Sequence, residues 1–166
     1  MLAALTLVAL AQDAPDLQTW HDDRRRTERA ASAVLLGWAG ANLVGGTVGA
    51  VVAEDPRARS ALAGSAGWNV VNAGLALPGL VARPPVPATR TEALERASRL
   101  DGALLLNVGL DVAYVVGGLA LQDRGQRTSD PRLTGLGDAL VVQGTFLLGF
   151  DLIFHHAARR HTRLLF

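Results

Sequence analysis

The chain has 166 residues, 49% of them hydrophobic, and 16 basic residues against 15 acidic ones leave a formal net charge of +1. The apolar fraction is unusual for a soluble domain of this size. A net charge so close to zero gives no support for a nucleic-acid partner, and we expect none. The absence of cysteine excludes disulfides, thiolate nucleophiles and cysteine-ligated zinc or iron–sulfur sites.

The first 30 residues contain two different stretches. Residues 1–11 are apolar and end in Ala9-Leu10-Ala11, the small-x-small pattern of a signal-peptide cleavage site. No positive charge precedes this apolar stretch, so either the true start of the protein lies upstream or the stretch is an apolar terminus that is not cleaved. Residues 12–30 mix acidic side chains with four arginines, which predicts an interfacial, helical lead-in rather than a nucleic-acid patch.

Four apolar segments follow, each 20 to 23 residues long: 31–53, 61–82, 102–121 and 139–158. Among the 31 charged side chains of the chain, these segments contain only Asp111 and Asp151. At about 1.5 Å per helical residue, each segment spans the ~30 Å hydrocarbon layer of a bilayer. A soluble bundle needs a charged outer face at helical spacing, which no segment has. The sequence therefore predicts an all-α fold, a four-helix transmembrane bundle over residues 31–158.

The connections group the segments into two helical hairpins. A tight turn at Glu54–Arg57 separates the first two segments, and the prolines of Arg83–Pro87 stop the helix before the third. A polar loop at 122–136 is predicted between the third and fourth segments, and a basic tail at 159–166 ends the chain.

The orientation of the bundle stays open at the level of sequence. The side with both chain ends carries 11 arginines, against five on the other side. By the positive-inside rule, both termini are cytoplasmic in a multi-pass protein of a bacterial inner membrane. A cleaved signal peptide would instead leave the mature N-terminus outside.

Polar residues inside the four segments are the candidate functional residues, because a polar side chain in a membrane must face another helix or a cavity. Their helical spacing puts them on inward stripes, together with Gly45-x-x-x-Gly49, which we expect to let two backbones approach closely. The predicted intramembrane polar core consists of Trp38, Asn42, Trp68, Asn69, Asn72, Asn107, Asp111, Tyr114, Gln143 and Asp151.

Asp111 stands out because it lies at the centre of its segment. A charged Asp there costs about 2.5–3.5 kcal/mol even on lenient insertion scales. No arginine lies inside any segment, so Asp111 must be protonated, bound to a cation or held by hydrogen-bond donors. Proton or cation handling and a permanently neutral, hydrogen-bonded Asp are the two alternatives.

Metal binding and aspartyl protease chemistry have weaker support. Asp151 and His155 are four residues apart and share a helix face, but two ligands do not make a metal site, and His155 fits a basic helix end at the lipid headgroups. The sequences around Asp111 and Asp151 lack the paired motifs of intramembrane aspartyl proteases. No motif identifies a cofactor.

Several stretches together resemble a bacterial family of four-span membrane proteins of unknown function. These stretches are Leu36–Asn42, Gly67–Asn72, Leu106–Tyr114, Gln143–Leu147 and Phe150-Asp151. The resemblance covers roughly residues 20–160. It implies the four-helix membrane fold and brings no activity with it.

Three functions remain as hypotheses. The leading one is a non-enzymatic binding or scaffold protein with a polar intramembrane core. The alternative is a proton- or cation-coupled carrier or channel that acts as an oligomer, since four short helices enclose little space. A membrane enzyme that uses Asp111 and Asp151 is the third. The expected partners are the lipid bilayer and either further copies of the chain or another membrane protein.

Overall fold

A computed structural model of the protein describes residues 16–166. Four helices make up 88% of this part of the chain, and it contains no strand. The helices are α1 (Leu17–Val52), α2 (Pro56–Val81), α3 (Arg90–Arg127) and α4 (Pro131–Arg163). The predicted all-α four-helix bundle is thus confirmed, whereas the predicted signal peptide at 1–11 lies outside the described residues.

Short polar residues begin three of the helices. The Asp55 carboxylate accepts a hydrogen bond from the Ala58 backbone N–H, and Asp130 accepts from the N–H groups of Arg132 and Leu133. The Thr89 hydroxyl accepts in the same way from the N–H of Glu92. These caps satisfy N–H groups that have no partner within the helix, so each of the three helices has a defined start.

The connection between α3 and α4 differs from the predicted loop at 122–136, because the two helices extend through most of it. Only 128–130 link them, with Ser129 at φ 53° in the turn. In the sequence, Gly125 is typical of a loop, but in the structure it lies within α3 and lets α3 pack closely against α4. A Cβ at Gly125 would lie 2.6 Å from the Thr134 backbone nitrogen. Glycine composition alone does not distinguish a turn from a close helix crossing.

The bundle consists of two hairpins, α1–α2 and α3–α4, which meet mainly where α2 packs along α4. In the first hairpin, a Cβ at Gly46 would lie 2.7 Å from the Leu62 carbonyl oxygen. Gly49 also packs on Leu62, but nothing lies within 4 Å of a Cβ at Gly45. The expected role of Gly45 in close packing is therefore wrong. Gly46 takes that role because the α1–α2 contact runs one residue further along the helix.

The bundle is apolar outside and polar inside, the reverse of a soluble domain. Val44, Leu75 and Ile153 are 69%, 65% and 73% exposed, whereas Asn69 and Gln143 are 0% and 1% exposed. Helices α1, α3 and α4 are long and apolar enough to cross a membrane. Helix α2 has an apolar outer face, but its asparagines lower its overall hydropathy, so its crossing stays a prediction. These features indicate a membrane protein whose outer surface contacts lipid.

Candidate functional site

The predicted polar core separates into a closed cluster and an open one. In the closed cluster, Trp38 Nε1 donates a hydrogen bond of 2.9 Å to Gln143 Oε1. Gln143 Nε2 then donates to Asn42 Oδ1 at 3.2 Å, and Asn42 Nδ2 donates to the Trp38 carbonyl at 2.9 Å. The Phe146 ring stacks on Trp38 with a centroid distance of 3.9 Å. Each side chain in this network has a partner, so the closed cluster ties α1 to α4.

The open cluster lies where α3 meets α4 and is built around Asp111 and Asp151. Both side chains are almost fully buried and line the same cavity, close enough for their carboxyl groups to interact electrostatically. Asn107 lines that cavity beside them. Asp111 Oδ2 is buried and accepts no hydrogen bond from any other residue between 16 and 166. This atom is the unsatisfied polar group at the centre of the bundle.

A stripe of small residues on each helix brings the two aspartates together. On α3, Asp111 is followed by Gly118 and Gly125. On α4, Gly137 and Gly144 precede Asp151. Successive members of each stripe are seven residues apart. We call these two stripes the α3–α4 seam. A Cβ at Gly144 would lie 2.9 Å from the Asp111 carbonyl oxygen. Seven-residue spacing keeps a narrow set of positions facing a partner helix, so the seam fixes where the carboxyls meet.

Helix α2 supplies the opposite wall of the open cluster. Asn72 Nδ2 donates to Asn69 Oδ1 at 3.0 Å, and Asn69 Nδ2 donates to the Ser65 carbonyl at 2.8 Å. The Trp68 ring meets Tyr114 of α3 edge-on, with centroids 4.7 Å apart. The indole N–H of Trp68 is buried and has no acceptor among the described residues. Asn69 and Asn72 are therefore paired within α2, while Trp68 retains a free donor.

A cavity of about 320 Å³ lies between these walls, because α2 and α3 make little direct contact. Its polar lining residues are Ser32, Trp68, Asn72, Asn107, Asp111, Tyr114 and Asp151. Apolar side chains from all four helices complete the lining. Val71 and Leu75 belong to the lining and are also more than half exposed on the outer surface, so the cavity opens toward the surrounding lipid.

The structure brings nine of the ten predicted core residues to these two clusters by side-chain contact or as cavity lining. Asn69 joins them through its hydrogen bond to Asn72. Trp38, Asn42 and Gln143 form the closed cluster and are not among the residues that line the cavity. Asn42 is partly exposed, which the inward stripe of α1 does not predict. The predicted inward-facing residues therefore do not all meet at one site.

His155 pairs with a residue that sequence analysis did not select. Its Nε2 lies 2.7 Å from Asp101 Oδ1 on α3, in contact but without a well-aligned hydrogen bond. Asp101 immediately precedes the third apolar segment, so the sequence groups it with the connections. Among residues 16–166, no three His, Cys, Asp or Glu side chains are arranged to hold a metal ion.

The opposite end of the bundle has an exposed polar cluster of its own. Arg57 of α2 forms a bidentate ion pair with Asp138 of α4, at 2.6 and 2.9 Å. Gln122 of α3 donates to the same carboxylate at 2.8 Å. These contacts fasten three helices together outside the cavity, and they make Asp138 a suitable comparison for the two buried aspartates.

The sequence of this chain matches the model of a family described as a family of unknown function, DUF6992, over residues 34–152. The chain belongs to that family. The DUF6992 match includes the closed cluster and both buried aspartates, whereas His155 and the first half of α1 lie outside it. No curated protein and no solved structure matches the chain. Membership in DUF6992 thus supports the expected resemblance without assigning an activity.

Proposed function

We propose that this protein is a non-enzymatic membrane protein that binds a small lipophilic amine in the cavity between α2 and α3. The observation that supports this role is the buried Oδ2 of Asp111, which accepts no hydrogen bond from another described residue and belongs to a side chain that lines the cavity. A buried acceptor without a donor costs about 1–3 kcal/mol, and a protonated amine supplies both a donor and the compensating charge.

The paired carboxyls favour a cationic ligand over an anionic one. Asp111 and Asp151 line the same cavity close enough to interact electrostatically, and two neighbouring negative charges repel each other strongly in an apolar setting. A proton or a bound cation relieves that repulsion. Protons and an amine therefore compete for the same oxygens, so amine binding weakens as the pH falls.

The walls of the cavity favour a ligand with an apolar body. Phe150 and Tyr114 belong to a lining that is otherwise mostly aliphatic, and aromatic rings attract organic cations by about 0.5–2 kcal/mol. The exposed Leu75 at the mouth gives access from the hydrocarbon layer rather than from water. A ligand that partitions into lipid thus reaches the carboxyls without crossing the tightly packed seam.

In this proposed role the protein crosses a bacterial cytoplasmic membrane with all four helices. The apolar outer faces of the helices and the excess of arginine on the side of the termini support this placement. Proton- or cation-coupled transport is the second candidate. The Asp101–His155 pair favours it, because these two titratable groups lie on the same two helices as the aspartates, at the end where both termini are located. A carrier of this kind would act as an oligomer.

Binding of benzylamine to the protein in zwitterionic nanodiscs tests the proposal. We expect Asp111→Asn and Asp151→Asn each to weaken benzylamine binding by about tenfold or more, because the charged partner is lost. The control Asp138→Asn removes the carboxylate that pairs with Arg57 outside the cavity, so it should bind like the wild type. The uncharged analogue benzyl alcohol should bind weakly to all four proteins.

Two results decide the experiment. Benzylamine binding that is unchanged in Asp111→Asn, with the fold intact by circular dichroism, overturns the proposal. Proteoliposomes containing the same variants distinguish binding from transport: wild-type uptake of benzylamine that Asp111→Asn abolishes establishes a carrier, and binding without uptake supports the non-transporting role.

A further inference from the structure

A second cavity lies at the end of the bundle where both termini are located, outside the apolar segments. The first turns of α1 and α3 pack there around Trp20, which is 2% exposed and donates its indole N–H to the His161 carbonyl. Ala93, Ala97 and Leu165 complete the apolar base. We call this region the collar. It holds the polar ends of α1 and α3 in fixed positions beyond the apolar core.

The collar cavity has a volume of about 410 Å³ and a strongly basic lining. Its charged or titratable lining residues are His21, Arg24, Arg25, Glu28, Arg96 and Arg99. Four guanidinium groups line the cavity with one carboxylate, Glu28, and two further carboxylates outside the lining pair with Arg96 and Arg99, which leaves an excess of one positive charge without His21. Because like charges repel, such a cluster is stabilised by an anion.

Arg24 is held in place with one donor left over. Its Nε donates to Glu28 at 2.7 Å, its Nη2 donates to the Arg96 carbonyl at 3.2 Å, and its guanidinium lies 5.2 Å from the Trp20 ring centroid. The side chain is only 14% exposed. Its Nη1 is buried and donates to no other described residue. A fixed guanidinium with a free buried N–H group is a preorganised anion donor.

The neighbouring arginines differ in how firmly they are held. Arg25 donates to Glu28 and to two carbonyls at the end of α2, and Arg96 donates to Glu92 and to the Pro85 carbonyl. The side chain of Arg99 is 81% exposed and lies 3.4 Å from Glu95, so it can turn toward a ligand. The cavity therefore combines a rigid wall with one adjustable cation.

The collar lies at the depth of lipid headgroups. Arg24 precedes the apolar segment of α1 by seven residues, and Arg99 precedes that of α3 by three. At 1.5 Å per residue, these side chains begin about 5–10 Å beyond the hydrocarbon layer, where phosphate groups lie. Leu100 lines both the collar cavity and the intramembrane cavity, so an acyl chain can continue from one into the other.

We propose that the collar cavity binds a phosphate group, with Arg24 as the central donor and Arg99 closing over it. Guanidinium groups bind phosphate oxygens through short, charge-assisted hydrogen bonds, which suits a phosphate better than a single-oxygen anion. The phosphate can come from an anionic lipid or from free phosphate. The position at headgroup depth and the shared Leu100 favour the lipid.

Native mass spectrometry of the detergent-solubilised protein tests this proposal with three probes: phosphatidylglycerol, phosphatidylcholine and inorganic phosphate. We expect one phosphatidylglycerol to bind with clear preference over phosphatidylcholine. Arg24→Gln should weaken it about tenfold and Arg99→Gln about threefold. Arg127→Gln is the matched control, since Arg127 is an exposed arginine that pairs with Asp123 at the opposite end of α3.

Arg99→Gln keeps the test decisive if Arg24→Gln fails to fold, because the exposed Arg99 side chain does not hold the collar together. Inorganic phosphate that displaces phosphatidylglycerol at millimolar concentration identifies free phosphate as a source. Phosphatidylglycerol binding that inorganic phosphate does not displace identifies the lipid as the source of the phosphate group. Phosphatidylglycerol binding that is equal in the wild type, Arg99→Gln and Arg127→Gln overturns the proposal.

Discussion

The closed cluster and the open cluster use similar polar side chains at similar burial, and they differ in how many of these groups find a partner. Gln143 of the closed cluster exchanges hydrogen bonds with both Trp38 and Asn42. In the open cluster, Asp111 Oδ2 and Trp68 Nε1 have none among the described residues. Interhelical hydrogen bonds explain the first cluster as structural. The unsatisfied groups of the second, next to a cavity, support the proposal that it is the functional one.

The largest expected effect comes from forcing the α3–α4 seam apart with Gly144→Leu. The new side chain meets the Asp111 carbonyl oxygen and the Val115 backbone nitrogen at about 3 Å, and backbone atoms cannot move aside cheaply. We expect the free energy of unfolding to fall by about 3 kcal/mol or more. Thermal unfolding followed by circular dichroism in detergent measures the change.

Gly109→Leu is the matched control for this substitution. It makes the same change on the outer face of α3, where nothing lies within 4 Å of an added Cβ. Equal melting temperatures for Gly144→Leu and Gly109→Leu would show that the seam does not bring the aspartates together.

A smaller effect on stability is expected from replacing one tryptophan by phenylalanine in each cluster, which compares the two clusters directly. Trp38→Phe removes the donor to Gln143 and leaves a buried amide oxygen unsatisfied, so we expect a loss of about 1 kcal/mol. Trp68→Phe removes an indole N–H that has no acceptor, so its stability should change by no more than about 0.5 kcal/mol.

Both substitutions remove similar ring area, so their difference isolates the hydrogen bond. Reversible unfolding in mixed detergent micelles measures each variant. If Trp68→Phe proves as destabilising as Trp38→Phe, the distinction between a closed and an open cluster fails.

The smallest expected effect is a change in melting temperature that depends on Glu92, at the start of α3 in the water-exposed collar. The backbone N–H of Ala88 and, after it, the Arg96 guanidinium lower the pKa of Glu92. A carboxyl whose pKa is lower in the folded protein stabilises it above the unfolded pKa of about 4.3, and this contribution is lost as the pH falls through the folded value. Glu92→Gln should therefore lower the melting temperature slightly near neutral pH.

The same variant should match the wild type in acid, once the pH lies below the lowered pKa of Glu92 in the folded protein, because the carboxyl is then protonated in both states. A pH series of melting temperatures for the two proteins measures this convergence. A constant difference between them across the series would mean that the carboxylate charge is not what stabilises the start of α3.

Some features of the fold and of the candidate site could be predicted from the sequence, and others could not. The four helices and the inward position of Asp111 follow from apolar length and from the cost of a charge in lipid, so both were predictable. The pairing of Asp101 with His155 was not, because it depends on the register between α3 and α4. The close packing at Gly46 in place of Gly45 was not predictable either, since a shift of one residue on a helix turns a side chain by about 100°.

The sequence by itself determined that this is an all-α membrane bundle with a polar interior, because hydropathy and helical spacing are local properties of the chain. Only the tertiary structure decided which polar residues meet. It joined Gln143 to α1, set Asp111 beside Asp151 and left a cavity between α2 and α3. The physical reason is that contacts between helices depend on register and close glycine packing, which distant parts of the chain fix together.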